Sequence, residues 1–156
     1  MIAEMLMCLA LNGYHEARGE PTAGEIAVNH VVMNRVADHR YKNNVCDVVK
    51  AGRYRNEQPV RHACHFSWWC DGKSDEPYDI EAWLYSNQLA SLIISGMHPD
   101  ITDGATHYHK IGYYPKWIND IGMIKDHIIC FYHIINNVIA ISLETHPEIQ
   151  DILNRV

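Results

Sequence analysis

The sequence predicts a mainly α fold of α+β character, one domain of packed helices with a small β-hairpin region. Three observations carry this. Apolar residues recur at helical spacing in three long stretches, near residues 2–15, 22–38 and 80–95. Residues 102–117 show little helical period, and 106–109 suit a short strand or hairpin arm. At 156 residues the chain is long enough for one domain to bury roughly 70% of the surface its unfolded form exposes.

In the first helix Met5, Leu6, Leu9 and Ala10 follow one face, and Gly19 with Pro21 stops it. Thr22 and Glu25 make a T-x-x-E pattern that predicts a capping box. Ala27, Val28, Val31, Val32 and Arg35 then mark one face of a second helix running to about residue 38. EARGE, residues 16–20, therefore falls at a helix-to-helix corner.

Residues 44–51 predict a short helix, residues 52–59 read as polar and broken, and residues 62–77 (HACHFSWWCDGKSDEP) read as an irregular loop. Asp79 can cap a helix through Ile80, Trp83, Leu84, Leu89, Leu92 and Ile93, with Gly96 as its stop and Pro99 beyond. In IICFYHIINNVIAI, residues 128–141, length and β-branched content leave helix and strand equally supported. There is no internal repeat and no linker.

Composition narrows the function classes. A net charge of −6 disfavours a general nucleic-acid binder, which needs a basic face to displace counterions. Eleven histidines make the charge climb as pH falls through about 6.5, so affinity for an anionic polymer should depend on pH. Five scattered cysteines form no secreted-scaffold framework, and reduced thiols after synthesis in the cytoplasm are expected. The apolar opening MIAEMLMCLAL lacks a basic n-region and contains Glu4, so it reads as a core helix rather than a signal peptide. No apolar run is long enough for a membrane span.

Glu16 and Glu20 stand at i and i+4, so a helix continuing through both would place them on one face. A solvated helix end is the plain reading of such a pair. The neighbourhood offers another: Glu16 follows Tyr14 on an apolar helix just before a sharp turn. A carboxyl held against such walls loses hydration and shifts its pKa upward, toward the range of a general acid.

Other chemistries have weaker support. His15-Glu16 begins an H-E-x-x-H motif, but position 19 is Gly19 and the motif fails. His62, Cys64, His65 and Cys70, or His107 and His109, are candidate metal ligands at spacings that match no common structural zinc pattern. Ser67 sits in FSWW, outside any G-x-S-x-G elbow, which argues against covalent acyl chemistry. The aromatics Phe66, Trp68, Trp69, Tyr108, Tyr113, Tyr114 and Trp117 are core residues on the plain reading. Their clustering in two non-helical stretches also suits the walls of a sugar-binding groove.

Four ordered blocks, YHEARGEPTAGEIAVNHVVMNRV, VCDVV, HFSWWCDGKSD and ATHYH with a following PKW, resemble the cell-wall hydrolases of the spore-cortex-lytic type, including their phage endolysin relatives. The resemblance covers residues 5 to about 127. It implies a lysozyme-like fold with Glu16 as the catalytic acid at a helix end facing a glycan cleft. The implied activity is cleavage between N-acetylmuramic acid and N-acetylglucosamine, typically as a lytic transglycosylase that leaves a 1,6-anhydro end. Asn34 and Arg35 match the family's NR pair, Phe66 and Ser67 its FS pair, and Tyr108 its aromatic after the Ala-Thr block. Substrate-binding roles are expected for Glu20, Phe66, Ser67, His107, Tyr108 and Trp117. The chain departs from the family at KDHIICFYHII, where His127 and Phe131-Tyr132 stand two residues further apart than the pattern.

On this reading residues 1–135 are the glycan-cleaving domain and residues 136–156 a C-terminal segment packed on it. The protein works as a monomer on peptidoglycan, without cofactor, metal or nucleic acid, after synthesis in the cytoplasm. Two other classes stay open: a metal-dependent amidase or peptidase acting on the peptide stem, and a non-catalytic glycan-binding module.

Overall fold

Helix α1 spans Ile2–Ala17 and buries Cys8, Leu9, Ala10, Tyr14 and Ala17. These positions and their coordinates come from a computed structural model that describes residues 1–110, 128–134 and 137–142. The helix ends because Arg18 turns to an extended conformation and Gly19 takes φ +86°, a left-handed angle that a side chain disfavours. Helix α2, Thr22–Ala37, starts after Pro21, so the corner lies where the sequence places it.

The capping box does not form. No side chain caps α2; Thr22 instead bonds the hydroxyl of Tyr85, and Glu25 is only 4% exposed. Packing has recruited both residues. A Cβ at Gly13 would lie 2.7 Å from Glu25 Oε1 and 2.9 Å from Asn29 Nδ2, so the bare glycine allows α2 to press its polar side chains against α1.

Helix α3, Val45–Val49, is short and well capped: Asn44 Oδ1 accepts from the amides of Cys46 and Asp47. Helix α4, Ile80–Ile94, is capped by Asp79 through the Ala82 amide and stops at Gly96, φ +71°. Leu9, Val32, Val45, Val48, Val49 and Ala90 join these helices in one core.

The cysteines correct the expectation of reduced thiols. Cys8 and Cys46 form a disulfide joining α1 to α3, and Cys64 and Cys70 form a second. Their Cα separations, 5.3 Å and 6.1 Å, lie within bridging range. Sequence spacing cannot reveal a pairing that depends on how two helices cross.

Residues 52–59, expected as broken coil, belong to an antiparallel hairpin. Strand β1, Gly52–Arg55, pairs with β2, Gln58–Cys64, in the register Tyr54↔Pro59 and Arg55↔Gln58. Asn56 and Glu57 turn the chain with φ of 49° and 63°. The primed turn that such angles make is ordinarily flagged by Asn-Gly, and Glu57 in place of glycine hides it. The following loop carries one 3₁₀ turn, Ser67–Cys70.

Strand β3, His107–Lys110, falls where the sequence predicts it, and the described parts of the ambiguous stretch, 128–134 and 137–141, are strand. β4, Ile128–Ile134, pairs in parallel with β3, and β5, Asn137–Ser142, pairs antiparallel with β4. The Ile and Val content of this stretch favours the pleated conformation. Trp117 and His127 lie outside the described residues.

Candidate active site

The two residues before Glu16 are anchored. Tyr14, wholly buried, has a hydroxyl that accepts from the Tyr78 and Asp79 amides and from Arg18, tying the end of α1 to the start of α4. His15 donates from Nε2 to the Asp75 carbonyl at 3.0 Å, and its ring stacks on Trp68 at 4.6 Å. Trp68 in turn donates to Asn12 Oδ1 at 3.1 Å. The last turn of α1 therefore has little freedom.

Glu16 lines a cleft of about 460 Å³. α2 contributes Arg35, the loop after β2 contributes His65, Phe66 and Ser67, and β3 contributes His107 and Tyr108; Tyr41 and Cys64 complete the lining. The Tyr108 hydroxyl donates to Glu16 Oε2 at 2.6 Å.

Burial pushes the Glu16 carboxyl above its ordinary value, against the opposing effects of the Tyr108 hydrogen bond and the charges of His15 and Arg35. This is the upward shift expected from the sequence. Burial, reinforced by the neighbouring carboxylate, holds the Tyr108 phenol well above its usual value, so it stays protonated as the donor. His65 is pushed below the usual imidazole value by burial and by Arg35. A carboxyl whose hold on its proton is strengthened by burial, with a cation and a phenol beside it, can protonate a leaving oxygen and then stabilise its own anion.

Arg35 is 8% exposed, donates from Nε to the Thr106 carbonyl at 2.7 Å, and lies over the rings of Phe66 and Tyr41. Asn34 Nδ2 reaches Asp100 Oδ2 at 3.0 Å, Thr102 Oγ1 at 3.1 Å and the Ala105 carbonyl at 2.9 Å.

Five sequence-selected residues, Glu16, Phe66, Ser67, His107 and Tyr108, meet in this cleft. Glu20 does not share a helix face with Glu16, because α1 ends at Ala17; it is exposed on the turn outside the cleft lining. Phe66 is 2% exposed and forms the floor under Arg35. Trp68 belongs to the core beneath His15 and not to a groove wall, so for that ring the plain reading holds.

The sequence alone assigns Tyr41 no role, enters His65 only as a candidate metal ligand, and matches Arg35 to the NR pair without a part in the site. For Arg35 a signal existed: a guanidinium on the same face as Val28, Val31 and Val32 is a charge headed inward, and buried charges are rare without a purpose. The ligand set His62, Cys64, His65 and Cys70 is undone by the disulfide, which leaves neither sulfur as a thiolate. Among the described residues no group of three or more His, Cys, Asp or Glu side chains is arranged to hold a metal ion.

A family model described as cell wall hydrolase matches residues 19–132. The matched span begins three residues after Glu16, so the case for that residue rests on its geometry. Neither the curated proteins nor the solved structures yield a match.

Proposed function

Because the chain belongs to the cell wall hydrolase family, whose substrate is peptidoglycan, we propose that it cleaves the bond between N-acetylmuramic acid and N-acetylglucosamine with Glu16 as the acid. The single observation carrying this reading is the Glu16 carboxyl, raised in pKa, hydrogen-bonded to Tyr108 and facing a cleft.

The reaction is a lytic transglycosylation. Protonated Glu16 gives its proton to the glycosidic oxygen as the anomeric carbon gains oxocarbenium character. The resulting carboxylate then takes the proton of the sugar's own 6-hydroxyl, whose oxygen closes on the anomeric carbon. No water is consumed, Glu16 ends protonated, and the product carries a 1,6-anhydro ring. Among the described residues lining the cleft, Glu16 is the one carboxylic acid, which favours a substrate-borne nucleophile over the two-acid arrangement of most glycosidases. An intramolecular hydroxyl attacks at high effective concentration and needs no protein-held water.

Mass spectrometry of digested, purified peptidoglycan tests the mechanism. Anhydro-muropeptides are the expected products. Reducing muramic acid ends would mean hydrolysis and would require a second acid.

The biological setting is also a proposal: a relative of phage endolysins, made in the cytoplasm and acting as a monomer on the wall. The two cystines support action beyond the reducing cytoplasm, because such bonds persist in oxidising compartments.

A further inference from the structure

Asn34 and Arg35 are neighbours on α2, and their side chains bond the carbonyls of two neighbours in the segment leading into β3, Ala105 at 2.9 Å and Thr106 at 2.7 Å. Asn34 also holds the preceding turn through Asp100 and Thr102. Asp100 itself braces that turn by accepting from the Thr102 amide at 2.8 Å and the Gly104 amide at 2.9 Å. Two residues beyond Thr106 stands Tyr108, whose hydroxyl meets Glu16.

A strand whose first backbone groups are fixed to a helix leaves its next side chains a narrow range of positions. The guanidinium suits the task because its planar Nε–H donor is preorganised, while its face packs on Phe66 and Tyr41. Ala105 is 0% exposed and Thr106 is 5% exposed, so water cannot easily replace these bonds if they are lost.

We infer that Asn34 and Arg35 are positioning residues: from adjacent places on α2 they fasten residues 105 and 106, and through them hold the Tyr108 hydroxyl on Glu16. The inference deepens the proposed function and rests on Glu16 being the acid of that reaction. It assigns the pair an indirect part in catalysis, acting through Tyr108 rather than on the glycan.

A double-mutant cycle separates this role from a merely structural one. Arg35→Lys keeps the charge and removes the planar donor, Asn34→Ala removes the second clamp, and Tyr108→Phe removes the hydroxyl that both are argued to position. On purified peptidoglycan Arg35→Lys and Asn34→Ala should each lower kcat, by up to about 10²-fold, as misplacement of a catalytic group does. KM should change little. In a Tyr108→Phe background the same substitutions should cost almost nothing further. Losses that multiply in full across the cycle, or wild-type kcat in both single variants, would overturn the inference. If melting shows that Arg35→Lys does not fold, Asn34→Ala carries the cycle alone.

An activity-free readout keeps the two ideas apart. The ¹³C signal of the Glu16 carboxyl should titrate at higher pH in Arg35→Lys, because the Tyr108 hydrogen bond that lowers its pKa is loosened. An unmoved midpoint would overturn the positioning role. Full activity in Glu16→Gln would instead end the glycan-cleaving reading and leave the titration result standing.

Discussion

Tyr108 donates a 2.6 Å hydrogen bond to Glu16 across 92 residues of chain, joining the end of the first helix to the first strand of the three-stranded sheet. The bond pulls the carboxyl pKa down, while burial, the larger influence, pushes it up. The acid is therefore balanced between a medium that favours its proton and a neighbour that favours its anion.

Glu16→Gln keeps the shape of the side chain and removes the proton. Turnover of purified peptidoglycan should fall by about 10² to 10⁴, the usual contribution of general acid catalysis. Activity within about tenfold of wild type would remove Glu16 from the mechanism.

The same substitution should stabilise the protein at neutral pH. Glu16 has a folded-state pKa above its unfolded value, so folding favours the protonated form, and stability declines as pH rises from the unfolded value through the folded one. Glutamine escapes that decline. Thermal melts should place Glu16→Gln above wild type near neutrality and level with it in acid, below the ordinary carboxyl value; the reverse order would contradict the burial argument.

Tyr108→Phe removes an interaction that lowers the Glu16 pKa, leaving burial less opposed. The high-pH limb of the rate profile, where a general acid loses its proton, should move to higher pH as kcat falls. His15, Arg35, His65 and His107 remain in or beside the cleft, so the limb should be read in kcat, where substrate-binding titrations weigh least. A downward shift would show that the hydroxyl does not act on Glu16.

The cystines should stabilise unequally. Cys8–Cys46 spans 38 residues and Cys64–Cys70 spans 6. Loop-closure entropy assigns them about 4 and about 2 kcal/mol respectively. Urea unfolding of Cys8→Ser/Cys46→Ser and Cys64→Ser/Cys70→Ser measures both, and a larger loss for the short loop would contradict the entropic account.

Gly13→Ala should destabilise by about 1–3 kcal/mol, as overpacked cores do. The added methyl meets Glu25 and Asn29, both buried, where α2 crosses α1. Chemical denaturation would check it; an unchanged midpoint would mean that Glu25 swings away freely.

The three long helices and the corner between the first two follow from local rules, because apolar spacing, Gly19, Pro21 and Asp79 act within a few residues of themselves. The sequence alone also marked Glu16 as a carboxyl facing loss of water, since its apolar helix and the turn after it are adjacent in the chain. Where a reading failed, a distant partner decided. Thr22 bonds Tyr85 instead of capping its own helix, and Cys8 finds Cys46; the hairpin alone escaped for a local reason, since Asn56-Glu57 turns it without glycine. Arg35 showed itself as a charge on an apolar stripe, but what it holds could not be read there. That Thr106 meets Arg35 across 71 residues of chain and Tyr108 meets Glu16 across 92 was decided only by tertiary structure, because a hydrogen bond depends on where two groups meet in space and not on their separation along the chain.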